Sequence, residues 1–135
     1  MLSDIFCIVG KPGLYKKVVN ANGKLIVESL IDKKRIPVFA RDRISTLADI
    51  QIYTNDGQIA LSSVLTSIQK KENKQVINQE IKALSNDQLR EYLEQVLPDY
   101  DRERVYPTDI RKLLLWYNIL TNSGITEFEE KEEQK

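Results

Sequence analysis

The apolar positions of this chain change their spacing once, near residue 60. Ahead of that point they fall in short runs and alternations. Ile5 to Val9 is a continuous apolar run, and Leu14 to Val19 follows after Lys11-Pro12-Gly13. Proline presets φ and glycine accepts positive φ, so that tripeptide predicts a turn. Asn20-Ala21-Asn22-Gly23 supplies a second turn with an Asn-Gly hairpin signal. Lys24 to Ile31 places Leu25 and Val27 on one face and Ile26 and Leu30 on the other, the pattern of a central strand. Arg35 to Ala40 turns Ile36 and Val38 inward, while Pro37, which has no N–H to donate, predicts an edge or a bulge. Asp49 to Thr54 alternates through Ile50 and Ile52, and Asn55-Asp56-Gly57 closes the region. Five short strands joined by tight turns predict a small antiparallel barrel of the SH3-like kind, with an open meander as the alternative.

Beyond residue 60 the spacing is helical. Leu61, Val64, Leu65 and Ile68 recur at helical intervals, with Ser62 or Ser63 as the expected cap. Lys70 to Gln79 is polar and reads as a linker. Ser85 followed by Gln88 is a capping box opening a helix with Leu89, Tyr92, Leu93, Val96 and Leu97 as its stripe. Pro98 ends it, and Asp99 to Tyr106 reads as a loop. Thr108, with Asp109 in the first turn, is the expected start of a third helix, and Gly124 its left-handed stop. The expected class is α+β. A barrel spans residues 1–60, a helix and linker 61–84, a helical subdomain 85–124 and an acidic frayed tail 125–135.

The third helix is more apolar than one buried face requires. Ile110, Leu113, Leu114 and Tyr117 form one stripe; Leu115, Trp116 and Ile119 widen it over much of the circumference. The first stripe is the expected core. Leu115, Trp116 and Ile119 are the candidate contact with a partner protein or a second copy.

Composition then removes chemistry. There is no histidine, and the single cysteine, Cys7, lies inside an apolar run. The commonest general acid/base and the commonest metal ligands are therefore missing, so no catalytic, cofactor-binding or metal-ligating residue is assigned. Cys7 reads as a small buried hydrophobe, and one cysteine fits a reducing compartment. Gly10-Lys11-Pro12-Gly13 lacks the Gly-Lys-Ser/Thr ending of a phosphate loop and reads as a hairpin turn. Asp99-Tyr100-Asp101-Arg102-Glu103 lacks the glycine and terminal glutamate of a calcium loop. It reads as a loop whose carboxylates bind backbone amides or Arg102 and Arg104. No apolar run approaches the ~20 residues of a membrane span, and no basic leader is visible. A cytoplasmic protein is the expectation.

Net charge is zero overall but unevenly spread. Residues 1–60 hold nine Lys/Arg against six Asp/Glu, and residues 124–135 hold two against five. Lys16, Lys17, Lys33, Lys34, Arg35, Arg41 and Arg43 could share one barrel face, with Tyr15, Phe39 or Tyr53 to stack bases. Glu28, Asp32 and Asp42 interrupt that group, so any nucleic-acid binding is expected to be weak and salt-sensitive. The leading expectation is a non-enzymatic interaction module; a nucleic-acid-binding accessory protein is the alternative.

Several phrases also carry a resemblance. Gly10-Lys11-Pro12-Gly13-Leu14-Tyr15-Lys16, Ile26-Val27-Glu28-Ser29-Leu30, Asp32-Lys33-Lys34-Arg35-Ile36-Pro37, Val96-Leu97-Pro98-Asp99-Tyr100-Asp101-Arg102-Glu103-Arg104-Val105-Tyr106 and Trp116-Tyr117-Asn118-Ile119-Leu120 occur in this order. Together they resemble a family of short, uncharacterised cytoplasmic proteins from Bacteroidota-type bacteria, defined by a domain of unknown function. The resemblance implies an amino-terminal β part and a carboxy-terminal helical part, and no catalytic residue.

Overall fold

Seven strands and then three α-helices follow one another along the described residues. The computed structural model describes residues 2–8, 10–11, 13–21, 24–39 and 42–128. The strands are β1 (Ile5–Ile8), β2 (Tyr15–Ala21), β3 (Lys24–Ser29), β4 (Arg35–Val38), β5 (Ile44–Thr46), β6 (Gln51–Thr54) and β7 (Gly57–Ala60). The helices are α1 (Leu61–Lys71), α2 (Asn86–Val96) and α3 (Pro107–Asn122). The class is α+β, with the strands ahead of the helices.

The first five strands form one antiparallel sheet in the order β4-β3-β2-β1-β5. β3 lies between β2 and β4, as its two apolar faces require, and Pro37 sits on the edge strand β4. Ala21 pairs with Lys24, and the Asn22-Gly23 pair of the hairpin signal lies outside the described residues. Among the described residues β4 and β5 do not pair. The sheet is therefore open there instead of closing into the expected barrel.

The fifth strand is also a different segment from the one expected. Residues 51–54, the clearest alternation, pair with β7 in a separate two-stranded sheet. Ile44–Thr46, with a single apolar residue, takes the free edge of β1 instead. The hairpin is captured by the helical half. Asn55 N–H donates to Asp99 O at 2.9 Å and Asp101 N–H to Tyr53 O at 3.0 Å, so the loop after α2 is bridged to the end of β6 at Thr54 and Tyr100.

Two apolar clusters result. Phe6, Ile8, Tyr15 and Val27 form a small core within the sheet. Ile5 and Leu14, with opposite side-chain direction, join Leu47 and the helices in the large core. There the stripes meet: Leu61, Val64, Leu65 and Ile68 from α1, Leu89 and Leu93 from α2, and Ile110, Leu113, Leu114 and Tyr117 from α3.

The helix ends follow local chemistry, with two corrections. Ser85 Oγ accepts from Gln88 N–H at 3.1 Å, and Gln88 Oε1 from Ser85 N–H at 2.8 Å, the reciprocal capping box that the spacing predicts. Gly124 has φ +79°; its N–H and that of Ile125 donate back to Thr121 O and Leu120 O, closing α3. Ser62 and Ser63, however, lie inside α1, which begins after Ala60 with no side-chain cap. α3 starts one residue before Thr108, at Pro107, where a missing N–H costs nothing; the Asp109 carboxylate instead accepts from Tyr106 N–H at 3.1 Å. Past Gly124 the chain stays on the body. Phe128 is buried with its ring 6.0 Å from that of Tyr117, and Thr126 O accepts from Gln69 Nε2. Residues 129–135 of the acidic tail lie outside the described residues.

Candidate functional site

The second face of α3 is apolar and half-buried: Leu115, Trp116 and Ile119 pack against the large core and stay partly exposed. With Ile110, Leu113, Leu114 and Tyr117 in the core, a 3.6-residue period carries Lys112, Leu115, Trp116 and Ile119 to the other side. All four line one groove of about 630 Å³. Its opposite wall comes from the sheet: Cys7 and Ile8 of β1, Gly10, Lys11 and Gly13 of the following turn, and Ile31 of the β3–β4 turn. Lys82, from the 3-10 turn Ile81–Ala83, completes it. The volume lies in the range of ordinary ligand sites, and the floor is apolar.

Local chemistry holds Ile31 in place. Ser29 Oγ accepts from the N–H groups of Ile31 and Asp32 at 3.2 and 3.4 Å, and Lys33 takes φ +64° to complete the turn. Leu30 N–H donates to Leu14 O at 2.9 Å, tying this turn to the one after β1. Ile31 is left 62% exposed, the most exposed large apolar side chain of the described residues. It leans on Gly13, where an added Cβ would stand 2.7 Å from Ile31 Cδ1.

Cys7 is half-buried at the groove wall, and burial pushes its thiol up from its ordinary value. A raised thiol is a poor nucleophile, in keeping with the reading of Cys7 as a small hydrophobe.

A second hollow of about 280 Å³ adjoins the first and shares Lys112 and Trp116 with it. Its other walls include Ile50, Ile52 and Tyr53 of the β6 hairpin, and Arg104. Trp116 thus lines both hollows.

A third hollow, of about 390 Å³, is polar. Tyr92 donates to Glu72 Oε2 at 2.5 Å, and the Lys71 ammonium lies 4.8 Å from the Tyr92 ring centre and 3.6 Å from Glu72. Burial first, and the Glu72 carboxylate second, push the Tyr92 phenol far above its ordinary value. Lys71, Glu72 and Tyr92 satisfy one another, while Asn78, Gln79, Glu91 and Gln95 contribute to the polar lining.

The basic group is gathered only in part. Lys16, Glu28 and Arg35 stand side by side on β2, β3 and β4, and Glu28 is paired with both, at 3.6 Å to Lys16 Nζ and 3.2 Å to Arg35 Nε. The Arg35 guanidinium holds the Glu28 carboxyl below the usual carboxylate range. Lys17 is the next residue along β2, opposite Val27. Lys33 and Lys34 occupy the β3–β4 turn, and Arg43 precedes β5. Arg41 lies outside the described residues. Of the aromatics, Tyr15 is buried in the sheet core and offers no ring to a base, while the Tyr53 ring is faced by Arg104 at 5.4 Å. In the Asp99–Glu103 loop, Asp101 Oδ1 accepts from the N–H groups of Glu103 and Arg104, as read from the sequence.

Sequence reasoning identified Leu115, Trp116 and Ile119 but not the residues facing them. Gly13 carried a signal, since its turn glycine also leaves room for a neighbour. Ile31, an apolar residue beside the Asp32-Lys33-Lys34 turn, carried another. Lys11, Lys82 and Lys112 carried none, because only the tertiary fold brings them together.

This architecture is that of a two-part α+β chain, and comparison with known proteins divides it in the same way. The family model described as domain of unknown function DUF5606 matches residues 2–47, and that described as domain of unknown function DUF6852 matches residues 50–120. The chain belongs to the DUF6852 family. The division falls just before β6, so the hairpin goes with the helices that its Ile50, Ile52 and Ile59 pack against. A solution NMR structure of a Bacteroides vulgatus protein, from the Northeast Structural Genomics Consortium, is 46% identical. The match covers 100% of both chains with a TM-score of 0.77. No curated protein matches the chain. Among the described residues, no helix is long and apolar enough to cross a membrane.

Proposed function

We propose that this chain is a non-enzymatic interaction module of the bacterial cytoplasm, which receives apolar side chains of a partner protein in the groove beside α3. One observation carries the reading. Leu115, Trp116 and Ile119, surplus to the core on periodicity alone, all line one apolar groove faced by the exposed Ile31. Aromatic anchors in such recesses dominate many protein interfaces. A second copy of the chain is one partner this surface could take. In the same reading the amino-terminal sheet is a partly open SH3-like barrel. β5 returns beside β1, the order that a five-stranded barrel needs, and Phe6, Ile8, Tyr15 and Val27 give the sheet a core of its own. The lack of histidine and the raised Cys7 thiol support a role without catalysis.

Nucleic-acid binding through the basic edge has less behind it, because Glu28 already engages Lys16 and Arg35. Capture from native cytoplasm separates the two. The bait is the wild type, Trp116→Ala or Ile31→Ser, each with and without nuclease. The docking reading expects the same proteins on wild type with or without nuclease, and their loss on both variants. Capture indifferent to both substitutions contradicts it, and capture abolished by nuclease favours the alternative.

A further inference from the structure

We infer that the groove's partner is an acidic segment of another protein, with carboxylates flanking its apolar anchors; this deepens the docking reading above and rests on it. The argument is charge complementarity. Lys11, Lys82 and Lys112 reach the groove from three separate elements, the β1–β2 turn, the 3-10 turn and α3. Among the described residues, no Asp or Glu lines it.

Elsewhere among the described residues five cations are ion-paired, while others such as Lys17 and Lys33 of the sheet edge are not. Lys16 and Arg35 meet Glu28, Lys71 meets Glu72, Arg102 meets Glu94 and Arg104 meets Asp101. Among the described residues, none of the three groove lysines makes an ion pair. The adjoining hollow shares Lys112 with the groove, its Arg104 is already paired with Asp101, and the one described carboxylate that lines it, Asp109, accepts from the Tyr106 N–H. A trough with an apolar floor and an unmatched cationic rim selects against basic and neutral partners. Like charges repel there, and a partner's carboxylates find lysines that no described Asp or Glu already pairs. Such rim charges act mainly on association rate and specificity, so the effect is salt-dependent.

The test is selection of peptides from a random phage-displayed library on the full-length chain. Counter-selection uses Trp116→Ala, with Ile31→Ser as a second variant that touches only an exposed side chain. The expected peptides combine Leu, Ile, Phe or Trp with several Asp or Glu. Their affinity for Lys82→Gln/Lys112→Gln falls on the order of tenfold, as the loss of two rim ion pairs allows. Added salt shrinks that difference. Groove-dependent peptides without acidic enrichment, or with affinity unchanged in the lysine variant, overturn this inference and leave the docking reading intact. Absence of any peptide sensitive to Trp116 or Ile31 overturns both. Trp116-dependent self-association that excludes peptide makes a second copy the occupant and overturns the acidic-segment inference. Selective binding of laurate micelles, with no peptide selected, does so in favour of an anionic amphiphile.

Discussion

The Asn118 side chain pairs with the backbone of Ile77 in both directions, accepting from its N–H at 2.7 Å and donating to its O at 3.2 Å. It does for the polar linker what a neighbouring strand would do. Tyr117, the preceding residue, donates to Gln75 O at 2.6 Å, so α3 holds the linker at two points. Asn73 and Lys74, with φ of +53° and +66°, provide the reversal that brings the chain there.

Asn118→Ala should therefore destabilise the protein by about 2 kcal/mol, because two backbone groups lose their partners at once. Urea unfolding of the two proteins measures it. Asn118→Asp should be milder at low pH and worse at neutral pH, where a carboxylate would face the Ile77 carbonyl. Equal stability of all three would show that water replaces the amide without loss.

Gly10 and Gly13 provide a matched pair in one turn. Both have left-handed φ, +85° and +83°, but a Cβ at Gly10 meets nothing while one at Gly13 meets Ile31. Alanine at Gly10 should cost ~1 kcal/mol from backbone strain alone. Alanine at Gly13 should cost that and also displace Ile31 from the groove. The displacement is read as weaker partner binding for Gly13→Ala only. Equal binding by both variants would mean that Ile31 shifts without consequence.

The Tyr92 phenol makes stability depend on alkaline pH. Burial and the Glu72 carboxylate raise its folded-state value above the ordinary ~10, so the folded state keeps its proton longer than the unfolded state. The contribution is complete below pH ~10 and is lost as pH rises beyond it. Tyr117 is raised too, chiefly by burial, so Tyr92→Phe should reduce the alkaline loss without abolishing it. Thermal melts across the range from neutral to alkaline pH check this. An unchanged slope in the variant would assign the loss to other groups.

Cys7 should react slowly with a maleimide at neutral pH, and more slowly still when the groove is filled. Burial raises its thiol, and its side chain lines the groove wall. The rate with and without a groove-binding peptide is the measurement. Acceleration by the peptide would mean that binding opens the wall.

Some elements were legible because one residue type decides them. Ser85 and Gln88 fix the start of α2, Gly124 fixes the end of α3, and Pro37 keeps β4 at the edge. The α3 stripe was legible because periodicity alone separates Tyr117 from Trp116. What escaped was set by partners distant in sequence. Gln51–Thr54 alternates as well as any barrel strand, yet its hydrogen bonds go to β7 and to the loop at Asp99–Asp101. Ile44–Thr46 has almost no pattern and is a strand because β1 offers an open edge. Burial of Phe128 inside an acidic segment depends on Tyr117 being beneath it. The groove was half legible for the same reason: α3 shows its own face, but the opposing Ile31 and the three lysines meet it only through the fold.

Trp116 is the only tryptophan, so its emission reports directly on the groove. The most direct test is to titrate the full chain with a captured partner while following that emission, with sedimentation as an independent record of binding. The docking account predicts a saturable blue shift tracking complex formation, because a partner's side chains would displace water from a half-buried indole. Complex formation that leaves Trp116 emission unchanged would put the interface elsewhere and contradict the account.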